Sequence, residues 1–119
     1  MENDLKSLSF ELATDLYKAS NSLSGGIHHV IADELILSSF RTSFAANSAK
    51  SALSRDRFIR HLEEGYYASG RTYELLKLIK SADIPLDGID NFLEDTEKIH
   101  RMFGASIKTI QRKNIEARV

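Results

Sequence analysis

The chain has 119 residues, 42% of them hydrophobic and 28% charged, with a formal net charge of −1 and no cysteine. That is one domain's length, enough to bury a core without covalent or metal support, and the lack of cysteine excludes disulfides, thiolate metal sites and thiol catalysis. The near-neutral balance gives no global attraction to nucleic acid or to an anionic membrane, so such a partner has to be met by a local patch.

The first apolar series, Leu5, Leu8, Leu12, Leu16 and Leu23, recurs at helical spacing, with Asp4, Lys6, Glu11, Asp15 and Lys18 on the other faces. It predicts an amphipathic helix over about 4–23, capped by Asn3 or Asp4 and ended by Ser24, Gly25 and Gly26. A second helix over about 30–52 carries Leu35, Leu37, Phe40 and Phe44 as its apolar series, while Ser38, Thr42, Ala45, Ala49 and Ala52 run down a neighbouring face. Small side chains in such a stripe let a neighbouring helix approach closely.

Ser54 is placed to cap a third helix over about 55–82, with Phe58, Leu62, Tyr66, Tyr73, Leu76 and Ile79 on one broad face. Gly65, Ala68 and Thr72 form its small stripe. A mid-helix glycine costs about 1 kcal/mol against alanine, so Gly65 and Gly70 are read as points of close helix contact. Pro85 breaks the pattern. A fourth helix over about 88–112 then follows, its core series running unbroken through Ile89, Phe92, Thr96, Ile99, Phe103, Ile107 and Ile110. The polar tail from Gln111 to Val119 is expected to fray.

Four helices with short connections predict an all-α, antiparallel up-down-up-down four-helix bundle occupying residues 1–119 as a single domain. The segment Met1–Lys6 carries two acids and no apolar run follows it, so it does not read as a secretory signal. No stretch approaches the roughly 18 apolar residues of a membrane span. A cytoplasmic protein with no membrane partner is expected.

A di-metal site in such a bundle needs two Glu-x-x-His pairs and two further glutamates. Here Glu97 and His100 make one pair, and His61 and Glu64 occur in reversed order, so these read as solvated helix faces with no metal and no cofactor. Serines are plentiful but none sits in a Gly-x-Ser-x-Gly elbow. A non-enzymatic protein is the expectation.

The charges are less evenly spread than the total suggests. Arg41, Lys50, Arg55, Arg57 and Arg60 stand against Asp56 alone, and Arg101, Lys108, Arg112, Lys113 and Arg118 against Glu116, each a local excess of +4. Between them lies an acidic run, Asp83, Asp87, Asp90, Glu94, Asp95 and Glu97. Lys50, Arg55, Arg57 and Arg60 are the candidate phosphate contacts. Tyr66 and Tyr73 fall on the apolar face and are assigned to core or interface, whereas Tyr67 is the aromatic expected at the surface.

Two segments carry a family resemblance. Ser43-Phe44-Ala45-Ala46-Asn47-Ser48-Ala49 resembles the Ser-Ile-Pro-Ala-Asn-Ile-Ala motif of the bacterial four-helix bundle proteins first noticed in intervening sequences of 23S ribosomal RNA genes. Ala68-Ser69-Gly70-Arg71-Thr72-Tyr73-Glu74-Leu75 is similar to that family's Ala-x-Gly-Ser-x-x-Glu-Leu segment. The chain departs from the pattern at Ser38 and Ser39, which replace a basic pair, at Ala45, which replaces proline, and at Lys50 and Ser51, which replace Glu-Gly. The resemblance implies a homo-oligomer, typically a pentamer. A related branch, the accessory variability proteins of diversity-generating retroelements, implies RNA or a nucleoprotein as partner class. Ser38, Thr42, Ala45, Ala49, Gly65, Ala68 and Gly70 are assigned to helix or subunit packing, and Asn47 to a structural hydrogen bond at a helix interface.

Overall fold

The structure, a computed structural model, describes residues 4–23 and 28–117, with side chains described as far as Lys113. It contains four α-helices, α1 (Leu5–Ser20), α2 (His29–Lys50), α3 (Arg55–Ser81) and α4 (Ile89–Ala117), with a 3-10 turn at Asn21–Leu23. Each helix packs on the next in sequence and α4 closes on α1, the arrangement of an antiparallel four-helix bundle. The molecule measures 56 × 26 × 24 Å.

Local chemistry sets the helix ends. Asp4 caps α1 by accepting the Ser7 amide at 2.8 Å, and the Ser54 hydroxyl caps α3 by accepting the Arg57 amide at 3.2 Å. At the end of α3, Asp83 adopts a left-handed φ of 58°, and the Ile84 amide reaches back to the Ile79 carbonyl at 3.0 Å. This is a Schellman-type stop built on aspartate where glycine is the usual choice. The terminator read at Ser24, Gly25 and Gly26 lies outside the described residues, as do Asn3 and Arg118. The fourth helix runs five residues past its expected end at 112, because Lys113–Ala117 contain neither proline nor glycine to stop it.

The core follows the expected series in α1 and α4. Leu12, Leu16, Ile99, Phe103 and Thr96 are buried, and Leu5, Leu8, Ile89, Phe92, Ile107 and Ile110 pack partly against them.

α2 departs from its expected series. Leu35 is buried, but Leu37 and Phe44 point to solvent, and the inward positions belong to Ser38, Ser39, Thr42, Ala45, Ala46 and Ala49. The reason lies in how α2 meets α3. Thr72 of α3 donates to the Ser38 hydroxyl at 2.8 Å, which itself donates to the Leu35 carbonyl at 3.2 Å. At that separation two stripes of small residues face each other and a phenyl ring has no space. Tyr66 likewise leaves the core face of α3 and is exposed, while Leu62, Gly65, Ala68, Ser69, Thr72, Leu76 and Ile79 are buried.

Glycine creates the contact between α3 and α4. A Cβ on Gly65 would fall 2.7 Å from Phe103 Cδ1 and closer still to Cε1 and Cζ, and the Phe103 ring is fully buried in the space that glycine leaves.

Candidate nucleic-acid interface

Antiparallel topology brings the end of α2, the start of α3 and the last turns of α4 to one end of the molecule. Lys50, Arg55, Arg57 and Arg60 all lie there, and α4 adds Lys113: Leu53, Arg55 and Phe58 share a shallow depression with Ile110 and Lys113. Leu53, at the corner between α2 and α3, is 93% exposed. Lys113 of the second basic segment therefore meets Arg55 of the first. The acidic residues Asp83, Asp87 and Asp90 occupy the opposite end, where Lys80 pairs with Asp90 at 2.7 Å. α3 alone spans roughly 40 Å, several Debye lengths at physiological salt, so the two ends do not neutralise each other.

The four predicted phosphate contacts do not form one patch. Lys50 turns toward α1 and pairs with Asp4 at 3.4 Å, so Asp4 competes with an incoming anion for it. The Asp4 carboxyl is held below the ordinary aspartate range, chiefly by the Ser7 amide and then by the Ser7 hydroxyl; desolvation opposes them, and Lys50 adds a lesser lowering. Arg55 faces the α4 side, beside Lys113. Arg57 and Arg60 continue a stripe of α3 that runs through His61, Glu64, Tyr67, Ala68 and Arg71, by their three- and four-residue spacing.

That stripe is one wall of a groove of about 630 Å3 between α2 and α3; Leu37, Arg41 and Phe44 supply the other, and Ser38, Ala45 and Ala68 the floor. Glu34 forms an ion pair with Arg71 at 3.1 Å, and Glu64 lies within hydrogen-bond distance of His61 Nδ1, at 2.9 Å. Arg41 makes no ion pair with another described residue. Tyr67, 73% exposed, is one of the groove's aromatic rims, as sequence spacing suggested.

A second groove, of about 780 Å3, lies between α1 and α2 and is lined by Phe10, Tyr17, Phe40 and Phe44. The Tyr17 and Phe40 rings are 6.1 Å apart and Phe40 and Phe44 6.3 Å, edge to face. Phe10 and Phe44 are 65% and 66% exposed. Asn47, assigned above to a helix-interface hydrogen bond, stands exposed at this rim, and its side chain makes no hydrogen bond to another described residue. Ala45, Ala46 and Ala49 hold the inward positions around it, which turns residue 47 outward.

On the α3/α4 face, Glu97 and His100 go to separate partners. Glu97 pairs with Arg101 at 3.0 Å. His100 stacks on Tyr66 with ring centroids 4.1 Å apart and its Nδ1 lies 3.0 Å from the Ser69 hydroxyl. The Ser69 hydroxyl also lies 3.1 Å from the Tyr66 carbonyl, to which it can donate. Gly70 and Gly104 make the slot: a Cβ on either would come within 3.0 Å of the His100 or the Tyr66 ring. Among the described residues, no three His, Asp or Glu side chains gather as a metal site would require, and no helix is long and apolar enough to cross a membrane.

Sequence reasoning missed the opposition of Arg41 and Tyr67 across the groove and the pairing of Arg55 with Lys113 at one depression. The signal for the first was present in the α3 spacing 57, 61, 64, 68 and 71. The second needs the topology.

No protein-family model and no curated protein matches the chain. Among solved structures, the chain is similar to a protein of unknown function from the S23 ribosomal protein family of Bacteroides thetaiotaomicron, with a TM-score of 0.76 and 19% sequence identity over 87% of this chain and 95% of that one. At this identity the likeness shows that the two share a four-helix bundle fold.

Proposed function

We propose that this chain is a non-enzymatic, homo-oligomeric scaffold of the cytoplasm that holds RNA or a nucleoprotein at the basic end of its bundle. The observation that supports the reading is that Arg55 and Lys113 meet at one depression, with Arg57 and Arg60 on another face of the same end of α3, away from the acidic end. Phosphate backbones bind such surfaces by releasing counterions. The motif resemblance in residues 43–49 and 68–75 supports an RNA-related role, and so does the structural neighbour, a protein of unknown function from the S23 ribosomal protein family.

Titration into labelled RNA, followed by anisotropy at low and near-physiological salt, tests it. Binding should weaken steeply with salt, and replacing Arg55, Arg57 and Arg60 by alanine should flatten that slope by about two to three. An unchanged slope would remove the assignment.

A second reading is a bundle whose surface serves protein contacts, with no nucleic acid involved. It is favoured by the exposed aromatic groove at Phe10, Tyr17, Phe40 and Phe44, because apolar patches of this kind mark association surfaces. The same surface is the one by which copies of the chain would associate in the leading reading, as a pentamer if the family pattern holds. Light scattering of the wild type against Phe10→Ser/Phe44→Ser separates the two roles: loss of assembly without loss of RNA binding assigns the groove to subunits alone.

A further inference from the structure

We propose that the outward face of α2 is a helix-packing seam covered by a second copy of this chain, which brings Val30, Leu37 and Tyr67 into the subunit contact alongside Phe44. The inference rests on the self-association reading above and deepens it, because it extends the contact from the α1/α2 groove to both sides of α2.

The carrying observation is a stripe. Val30, Leu37 and Phe44 recur every seven residues along the outside of α2 and are 57%, 46% and 66% exposed. Seven-residue spacing returns a side chain to nearly the same side of a helix, and an apolar row of that period is what a second helix packs against. α2 also differs from its neighbour in charge. Of its 22 residues only Asp33, Glu34, Arg41 and Lys50 are charged, whereas α3 carries ten charged residues in 27. A helix that is apolar on its inner and outer sides alike is an interior helix, and within one chain α2 buries only the inner side. The outward surface of α4 is of another kind, its depression lined by Glu94, Glu97, Lys98 and Arg101.

Charge and area make the occupant a copy of the same chain. Beside the stripe Glu34 and Glu64 stand against Arg41 and Arg71, so a face of the same composition meets opposite signs and a polyanion has no advantage there. The α1/α2 groove runs along residues 6–17 of α1, about 17 Å, and two packed helices are about 20 Å wide. Covering that groove alone buries about 700 Å2 over both partners, short of the roughly 1,000 Å2 that a specific interface needs. The α2/α3 groove, about 21 Å long from Glu34 to Ser48, raises the total to about 1,500 Å2, the size of an ordinary stable contact. Phe44 lines both grooves and joins them into one surface. Tyr67, 73% exposed on the far wall, is of the residue type that most often anchors such contacts. The basic end stays free for RNA.

Light scattering and sedimentation velocity of the full chain, followed over a dilution series, test the proposal. Val30→Ser/Leu37→Ser lies outside the α1/α2 groove and should raise the dissociation constant of the assembly on the order of 10-fold or more, and Tyr67→Ala should do the same. Far-UV circular dichroism accompanies each variant. Should the double serine variant lose helicity, Tyr67→Ala decides alone, since an exposed ring is not part of the core. Phe10→Ser, on α1, is the comparison. If Phe10→Ser weakens assembly while the double serine variant and Tyr67→Ala are silent, the seam falls and the α1/α2 contact stands. If the wild type stays monomeric throughout, the seam and the self-association reading fall together. If the wild type assembles and none of the three variants weakens it, the seam is overturned and self-association stands on another surface.

Discussion

Replacing Gly65 by alanine places one methyl group where the Phe103 ring lies. The new Cβ would stand 2.7 Å from Cδ1 and closer to Cε1 and Cζ, and Phe103 is fully buried, so the ring has no solvent-side escape. Two effects compete. Alanine gains about 1 kcal/mol of helix propensity over glycine in the interior of α3, while overpacking a filled core costs about 1–3 kcal/mol, and more when backbones must separate. The rigid ring and the direct overlap put the cost at or above the top of that range. A net loss of about 2 kcal/mol is expected, which for a chain of 119 residues lowers the midpoint of thermal unfolding by about 8 °C. Thermal and urea unfolding of Gly65→Ala, Phe103→Leu and the double variant measure it. Because leucine vacates the overlapped space, the double variant should be more stable than the sum of the single losses by at least about 1 kcal/mol. Additivity, or a Gly65→Ala variant as stable as the wild type, would refute the claim that glycine sets the α3/α4 distance.

Thr96 is buried and its hydroxyl has no hydrogen-bond partner among the described residues; the isosteric Thr96→Val change should stabilise by about 1 kcal/mol, read as a rise of about 4 °C in thermal midpoint. Asp4 has a depressed folded pKa, so its contribution is present above the ordinary aspartate value of about 4 and is lost as pH falls through the folded value. Asp4→Asn keeps a capping oxygen but cannot ionise. Its deficit against the wild type in urea midpoint should be constant near neutral pH and should shrink below about pH 4; a gap that widens in acid would reverse the sign of the argument.

The fold was legible where one periodicity carried one meaning. In α4 the series from Ile89 to Ile110 could face only one way, and Thr96, Ile99 and Phe103 are buried where it placed them. The caps at Asp4 and Ser54 were legible for the same local reason, an oxygen-bearing side chain just before a helical run. In α2 two faces competed, one of large apolar residues and one of small ones, and periodicity alone does not choose between them. Which face turns inward depends on how near α3 comes, and that distance is set jointly by Ser38 and Thr72, 34 positions apart in the chain.

The candidate site divides along the same line. Sequence alone determined that the charge is segregated, with basic residues in 41–60 and after 101 and acids between, and that Tyr67 leaves the apolar face. Only the tertiary structure decided that Lys113 joins Arg55, that Asp4 occupies Lys50, and that Arg41 faces the α3 stripe of Tyr67. Charge pattern is a property of the chain, read residue by residue. Electrostatic potential depends on distance through space, and the antiparallel packing of helices fixes those distances.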